Sequence, residues 1–273
     1  MNRNGALLAV AIVLTSCTGT QRTATRASGA LPAPSRPPAL PAAAPASQPA
    51  APAPGPPGHV IVIDPGHNGQ NWSHPGDINR LVDIGNGTKA CDTTGTATRD
   101  GYTEAAYDLD VASRLAAVLT RAGALVVLTR SDNDGWGPCV DERAAIGNRA
   151  HADVAISIHA DGSPAGRGFH VIYPAVVAGL TEAIAAPSER LALDVRGAYA
   201  RGTGMPYATY AGHAGLAQRG DLGGLNRSRV PKVFIETGNM RDPTDAALLE
   251  DPSFRDRAAR ALAEGLMAFL SGH

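Results

Sequence analysis

The chain of 273 residues has little of several things, and each scarcity excludes something. Charge of one sign is missing: Lys+Arg 24 against Asp+Glu 25 leaves a formal net charge of -1, so there is no electrostatic footprint for nucleic acid. Aromatic residues make up only 4 %, so the core must be built from the abundant Ala, Val and Leu. Cysteine is scarce too, with three in all, which rules out a disulfide-framework miniprotein. No apolar run is long enough to span a bilayer, and no internal repeat is visible.

The first apolar run, Ala6 to Leu14, follows Arg3 and has the length of a signal h-region. It ends in Leu14-Thr15-Ser16-Cys17, which resembles a bacterial lipobox, in which the cysteine is acylated after cleavage. An ordinary secretory signal is the alternative, and an unmodified mature N-terminus beyond Cys17 would distinguish it. Either way residues 1–17 are expected to direct export to the periplasm or cell envelope. Residues 18–57 hold eleven of the 21 prolines among Ala and Ser, without apolar periodicity. Such a composition cannot bury a core; it reads as a disordered tether reaching on the order of 100 Å at roughly 3.1 Å per residue. Any membrane contact would be through the lipid anchor alone. With Cys17 assigned to the signal, Cys91 and Cys139 remain, and an exported chain more often bridges two such thiols than leaves them free. Two zinc-ligand thiols are the alternative, without the close C-x-x-C spacing usual for such sites.

From residue 58 to 273 short apolar runs alternate with helical patterns. "VIVID" (60–64), "ALVVLTR" (124–130), "DVAISIH" (153–159), "GFHVIYP" (168–174) and "PKVFIET" (231–237) read as strands. Helices are expected over 104–122, 140–150, about 178–201 and the C-terminal segment carrying Phe254, Ala258, Leu262, Leu266 and Phe269. The fold class that follows is α/β: a single domain with a mostly parallel sheet, helices on both faces, and the active site at the carboxyl ends of the strands.

Three residues fall at those strand ends, namely His67 after 60–64, His159 closing 153–159, and Glu236 closing 231–236; Glu104 opens the helix over 104–122. Each has a structural alternative. A terminal histidine can simply be hydrogen-bonded at a boundary, and Glu104 complements the helix dipole. A carboxylate at the end of an apolar strand is harder to explain, because burying it alone costs several kcal/mol. Together the four make a chemical set. Catalytic zinc commonly takes two histidines and a glutamate, leaving a position for water whose pKa falls to about 7. His67, Glu104 and His159 are the expected ligands of one Zn²⁺, and Glu236 the general base and acid. Gly66 and Gly69 are expected to give the turn that delivers His67, and Asp64 either orients an imidazole or serves the Asp-Pro-Gly turn.

The ordered segments "VIVIDPGHNG", "GYTEAAYDLDVASRLAAVLTRAGALVVLTRSD", "ERAAIGNRAHADVAISIHADG" and "PKVFIETGNMRD" resemble the motifs of the zinc-dependent N-acetylmuramoyl-L-alanine amidases of the type 3 family, over roughly residues 60 to 270. The resemblance implies hydrolysis of the amide between N-acetylmuramic acid and L-alanine in peptidoglycan or its muropeptide fragments. It matches His67, Glu104 and His159 to the zinc ligands and Glu236 to the catalytic glutamate. Three departures stand out: Asp108 where the family has asparagine, Asp161 in "SIHAD" where it has "SIHAN", and a gap of 104 − 67 = 37 positions between the first two ligands. That gap, containing Cys91, reads as an insertion beside the cleft. The chain is expected to act as a monomer. Another exported zinc hydrolase, a peptidase or deacetylase, and an inactive wall-binding module are the competing functions. Arg130 and Arg143 read either as binders of peptide carboxylates or as members of structural ion pairs, and His213 as a solvated loop residue.

Overall fold

The computed structural model describes residues 58–272. The expected signal, Cys17 and the Pro/Ala-rich tether lie outside the described residues. Eight strands are present: β1 (Val60–Pro65), β2 (Leu81–Asp83), β3 (Thr88–Ala90), β4 (Leu125–Leu128), β5 (Val154–Asp161), β6 (His170–Pro174), β7 (Leu216–Arg219) and β8 (Lys232–Asn239). The helices are α1 (Pro75–Ile78), α2 (Glu104–Arg121), α3 (Val140–Arg149), α4 (Glu182–Thr203), α5 (Gly223–Asn226), α6 (Pro243–Glu250) and α7 (Pro252–Leu270).

Six strands form one sheet in the order β4-β1-β5-β8-β6-β7. The first four run parallel; β6 pairs antiparallel with β8, and β7 pairs parallel with β6. The expected mostly parallel α/β domain is what the residues build. Every strand foreseen from hydrophobic runs is present, shorter or longer by a few residues. The small hairpin β2–β3 and the edge strand β7 were not foreseen, because three- and four-residue polar strands carry no apolar run.

Alternation along the strands divides the sheet into two unlike faces. Ile61, Ile63, Ile156, Ile158, Val233 and Ile235 are fully buried on one face, where α2, α4 and α7 close the main core. The opposite face carries apolar groups where Val62 and Ala155 meet α3 and where Phe234 pairs with Ile172. Towards the carboxyl ends of the parallel strands it turns polar: Asp64 is registered with Ser157, His159 with Glu236, and Glu236 with His170. Since register partners project to the same side, the sheet presents these groups as one surface. β6 runs the other way, so its first residue reaches the same edge where β5 and β8 end.

Candidate metal centre

His67 heads the loop leaving β1 with φ 54, the left-handed region that a non-glycine residue avoids. Gly66 and Gly69, expected to give the turn, have no positive φ; the histidine itself takes the unfavourable conformation. Two buried arginines hold it there. Arg130 donates to the carbonyls of Pro65 and Gly66, and Arg143 donates to those of Pro65 and His67. Both are structural clamps: Arg143 is ion-paired with Asp64 and Asp92, as one of its two readings had it, whereas Arg130 is spent on backbone carbonyls and forms no ion pair among the described residues. Gly66 is required for another reason: a Cβ there would stand 2.2 Å from Cε1 of His159.

The His67 ring is oriented from the long segment between His67 and Glu104. Its Nδ1 lies 2.9 Å from the backbone oxygen of Thr93 and 3.4 Å from Oδ1 of Asp92. In the neutral ring a proton on Nδ1 donated to that carbonyl leaves Nε2 unprotonated, whereas in the imidazolium both nitrogens donate; Nε2 is 3.1 Å from Oε1 of Glu104. Asp64 does not touch this ring, which settles its two readings against the orienting one. Its carboxylate accepts from Thr129, Ser157, Arg143 and Lys232 instead, and the two cations and two hydroxyls outweigh burial and hold its pKa far below the usual carboxylate range.

Glu104 is the first residue of α2, after a Thr103 cap whose hydroxyl accepts from Ala106 N. Its Oε1 lies 2.9 Å from Nδ1 of His159, and its Oε2 accepts from Thr96 N at 2.9 Å. The two imidazoles meet edge to face at 4.8 Å, and the His159 ring stacks on Phe234 at 4.0 Å. Burial pulls the His67 imidazole down, but Glu104 and Asp92 outweigh it and raise the pKa well above the ordinary value; His159 is lowered, chiefly by burial.

His67, Glu104 and His159 therefore converge, and Asp108, one helical turn beyond Glu104, joins them. Ligand atoms of these four lie within 4.8 Å of one another. Asp108 is fully buried, and neither of its oxygens has a hydrogen-bond partner among the described residues. Burial and the Glu104 charge push its pKa well up. A buried carboxylate without a donor needs either a proton or a cation, so the donor set suits a divalent ion. Asp108, a departure from the family pattern, was not expected in the site. Its spacing of four residues from Glu104 was the available signal.

Glu236 stands across from His159 in register, and its Oε2 is buried without a partner among the described residues. Burial, then the charges of Glu104 and Asp161, raise its pKa well above the carboxylate range, the direction its place at the end of an apolar strand implied. All four groups expected to act line or adjoin one cleft of about 530 Å³, together with Asp161, Lys89, Asp92 to Thr96, and Arg219. His213 is exposed on a loop, as expected. Asn71 and Asn226, which fall in N-x-S/T triplets, are buried and hydrogen-bonded inside.

Cys91 and Cys139 form a disulfide. It joins the end of the β2–β3 hairpin to the N-cap of α3, beside the Asp92-Thr93 pair that orients His67. The segment expected as an insertion beside the cleft is thus part of its wall and of the support of His67.

Residues 61–268 match the family model described as N-acetylmuramoyl-L-alanine amidase, Amidase_3. The chain is 42% identical over 216 residues to N-acetylmuramoyl-L-alanine amidase Rv3717 of Mycobacterium tuberculosis, covering 78% of this chain and 87% of the relative. The crystal structure of the N-acetylmuramyl-L-alanine amidase Ami1 from Mycobacterium smegmatis superposes with a TM-score of 0.73 at 41% identity, covering 79% of this chain and 98% of that one. The apo form of Ami1 from Mycobacterium abscessus gives the same score and identity, over 78% and 99%.

Proposed function

The chain belongs to the Amidase_3 family of N-acetylmuramoyl-L-alanine amidases and is a peptidoglycan amidase, and from that premise we propose that it works through one zinc ion held by His67, Glu104 and His159, with Glu236 as general base and acid. The observation that carries the proposal is the convergence of two imidazoles and two carboxylates in one buried cluster, with the partnerless Glu236 oxygen in the same cleft. When bound, the ion would supply Lewis-acid polarisation of the amide carbonyl and of the attacking water.

The chain's own residues would do the rest. Thr93 and Asp92 would keep His67 in the tautomer that offers Nε2, and Thr96 N would hold the second oxygen of Glu104. Asp108 would add negative charge behind the ligands, favouring a divalent ion. Glu236, whose proton affinity is raised by burial, would accept the proton of the attacking water and return it to the departing amine of L-alanine. The same proposal has residues 1–17 direct export, Cys17 acylated, and residues 18–57 tether the catalytic domain, residues 58–273, within the cell envelope.

The test compares Glu236→Ala and Glu104→Ala side by side for bound zinc and for release of peptides with a free L-alanine amine. Glu236→Ala should retain zinc and lose roughly 10²–10⁴ in kcat, the usual share of general acid–base catalysis. Glu104→Ala should lose metal and activity together. Zinc lost from the Glu236 variant and kept by the Glu104 variant would reverse the two assignments.

A further inference from the structure

Apart from Arg143, which is spent on Asp64 and Asp92, the cations lining the cleft are Lys89 and Arg219. Both bind one carboxylate. Lys89 donates to Asp221 Oδ2 at 2.8 Å, while Arg219 donates through Nε to Oδ1 at 2.8 Å and through Nη2 to Oδ2 at 2.7 Å. Two cations on one anion leave a positive charge over, and Arg219 Nη1 makes no hydrogen bond among the described residues. All three side chains are 42–51% exposed, so none is locked in the interior.

The cluster is nonetheless held in position. Asn86 of the hairpin turn donates to the Gly220 carbonyl, and Asn226 donates to both Asn86 Oδ1 and Gly220 O. These bonds fasten the β2–β3 hairpin to the loop after β7, so Lys89 and Arg219 form one wall.

Register places that wall relative to the reacting end. Arg219 pairs with Pro174 and Glu236 with His170, on neighbouring sides of β6, so both project to the cleft face of the sheet. Two strand spacings across and four residues along put their Cα atoms about 16 Å apart. After the reach of the two side chains, roughly 7–10 Å remains, the length of two to three extended peptide residues. The rest of the lining carries the acidic residues Asp161, Glu236 and Glu104, so apart from the zinc proposed above, Lys89 and Arg219 are the lining groups that suit a carboxylate.

We propose that Arg219, supported by Lys89, anchors a carboxylate of the substrate's peptide two to three residues beyond the scissile amide, setting the direction in which the peptide lies. The inference rests on the amidase reading and adds a specificity determinant to it. Asp221 occupies the guanidinium's edge in the absence of peptide and leaves Nη1 and the surplus charge for the substrate. A planar guanidinium suits this recognition better than a lysine ammonium.

The experiment measures KM and kcat for two synthetic muramoyl tripeptides, one with free peptide carboxylates and one with them amidated. The unaltered protein should show a KM about 10–100-fold lower for the acid, with the difference in KM and not in kcat, because the anchored group is remote from the reacting atoms. In Arg219→Gln the ratio of the two KM values should fall to near one, and Arg219→Lys should restore part of it. Equal KM values for the two substrates in the unaltered protein, or an unchanged ratio in Arg219→Gln, would overturn the anchor while leaving the amidase reading intact. Hydrolysis of neither substrate by the unaltered, metal-loaded protein would overturn both.

Discussion

Asp64 sits where two demands on the same residue meet. It ends the apolar run of β1, so the chain buries it, and it must then be neutralised; Arg143 at 2.9 Å and Lys232 at 3.0 Å do this from α3 and β8. The network ties together the three elements that carry His67, His159 and Glu236. Asp64→Asn would leave a buried lysine and arginine short of an anion and should cost about 3–5 kcal/mol of stability at pH 7, as breaking a buried pair does. The sign of its pH dependence follows from its depressed pKa: the contribution is fully present above the unfolded carboxylate value near 3.9 and declines as pH falls below it. Urea unfolding of both proteins from pH 7 to pH 3 should therefore show the gap between them narrowing only on the acid side of about pH 4. A constant gap would mean that the ionised carboxylate is not what stabilises. At this scale the convergence of His67, Glu104 and His159, with Glu236 in the same cleft, was legible, because each ends or begins an element defined by its apolar pattern. Asp92, Lys232 and Lys89 were not, since their roles depend on partners 51, 168 and 132 positions away that no local pattern announces.

Among the elements, the β2–β3 hairpin changes meaning most between sequence and structure. Its strands are three residues each and only Val82 among them is buried, so the hairpin is too short to stand alone in water. The disulfide, a small cluster of Val82, Cys91, Cys139 and Val140, and the Asn86–Gly220 and Lys89–Asp221 contacts hold it down. Only the disulfide was foreseen, from cysteine arithmetic in an exported chain. A Gly/Asn/Thr-rich stretch has no periodicity from which the remainder could be read. Because Asp92 and Thr93 directly follow Cys91, the bridge should matter to the metal as well as to the fold. The double variant Cys91→Ser, Cys139→Ser should lose about 2–4 kcal/mol of stability for a bridge spanning 48 positions. It should also lose roughly 10–100-fold in zinc affinity, the usual effect of disturbing the groups that orient a ligand. Competition against a chromophoric chelator measures the second effect separately from the first. Unchanged affinity in a destabilised variant would show that the Thr93 carbonyl keeps its place without the bridge.

For the domain as a whole, the order of the central sheet explains why stability and function share one site. β1, β5 and β8 are adjacent and parallel, so three ends converge; α2 begins at the same edge and brings Glu104 and Asp108 beneath them. Alternating strands and helices made this edge predictable, whereas the reversal at β6 was not, because direction leaves no mark in an apolar run. The convergence concentrates Glu104, Asp108 and Glu236 in a buried space where their charges oppose one another. An ion bound by the native state alone removes that opposition and adds RT ln(1 + [ion]/Kd) to folding, about 3–4 kcal/mol at 100 to 1,000 times Kd. For a domain of this size each kcal/mol moves the melting temperature by about 2–4 °C, so stripping the metal should lower Tm by about 5–15 °C. Calorimetry of the stripped protein, with Zn²⁺ then restored in steps, reads the shift. The increment should persist in Glu236→Ala, which keeps every ligand, and vanish in Glu104→Ala. Identical melting temperatures for stripped and zinc-loaded protein would mean that the four-residue cluster does not hold the ion in the native state.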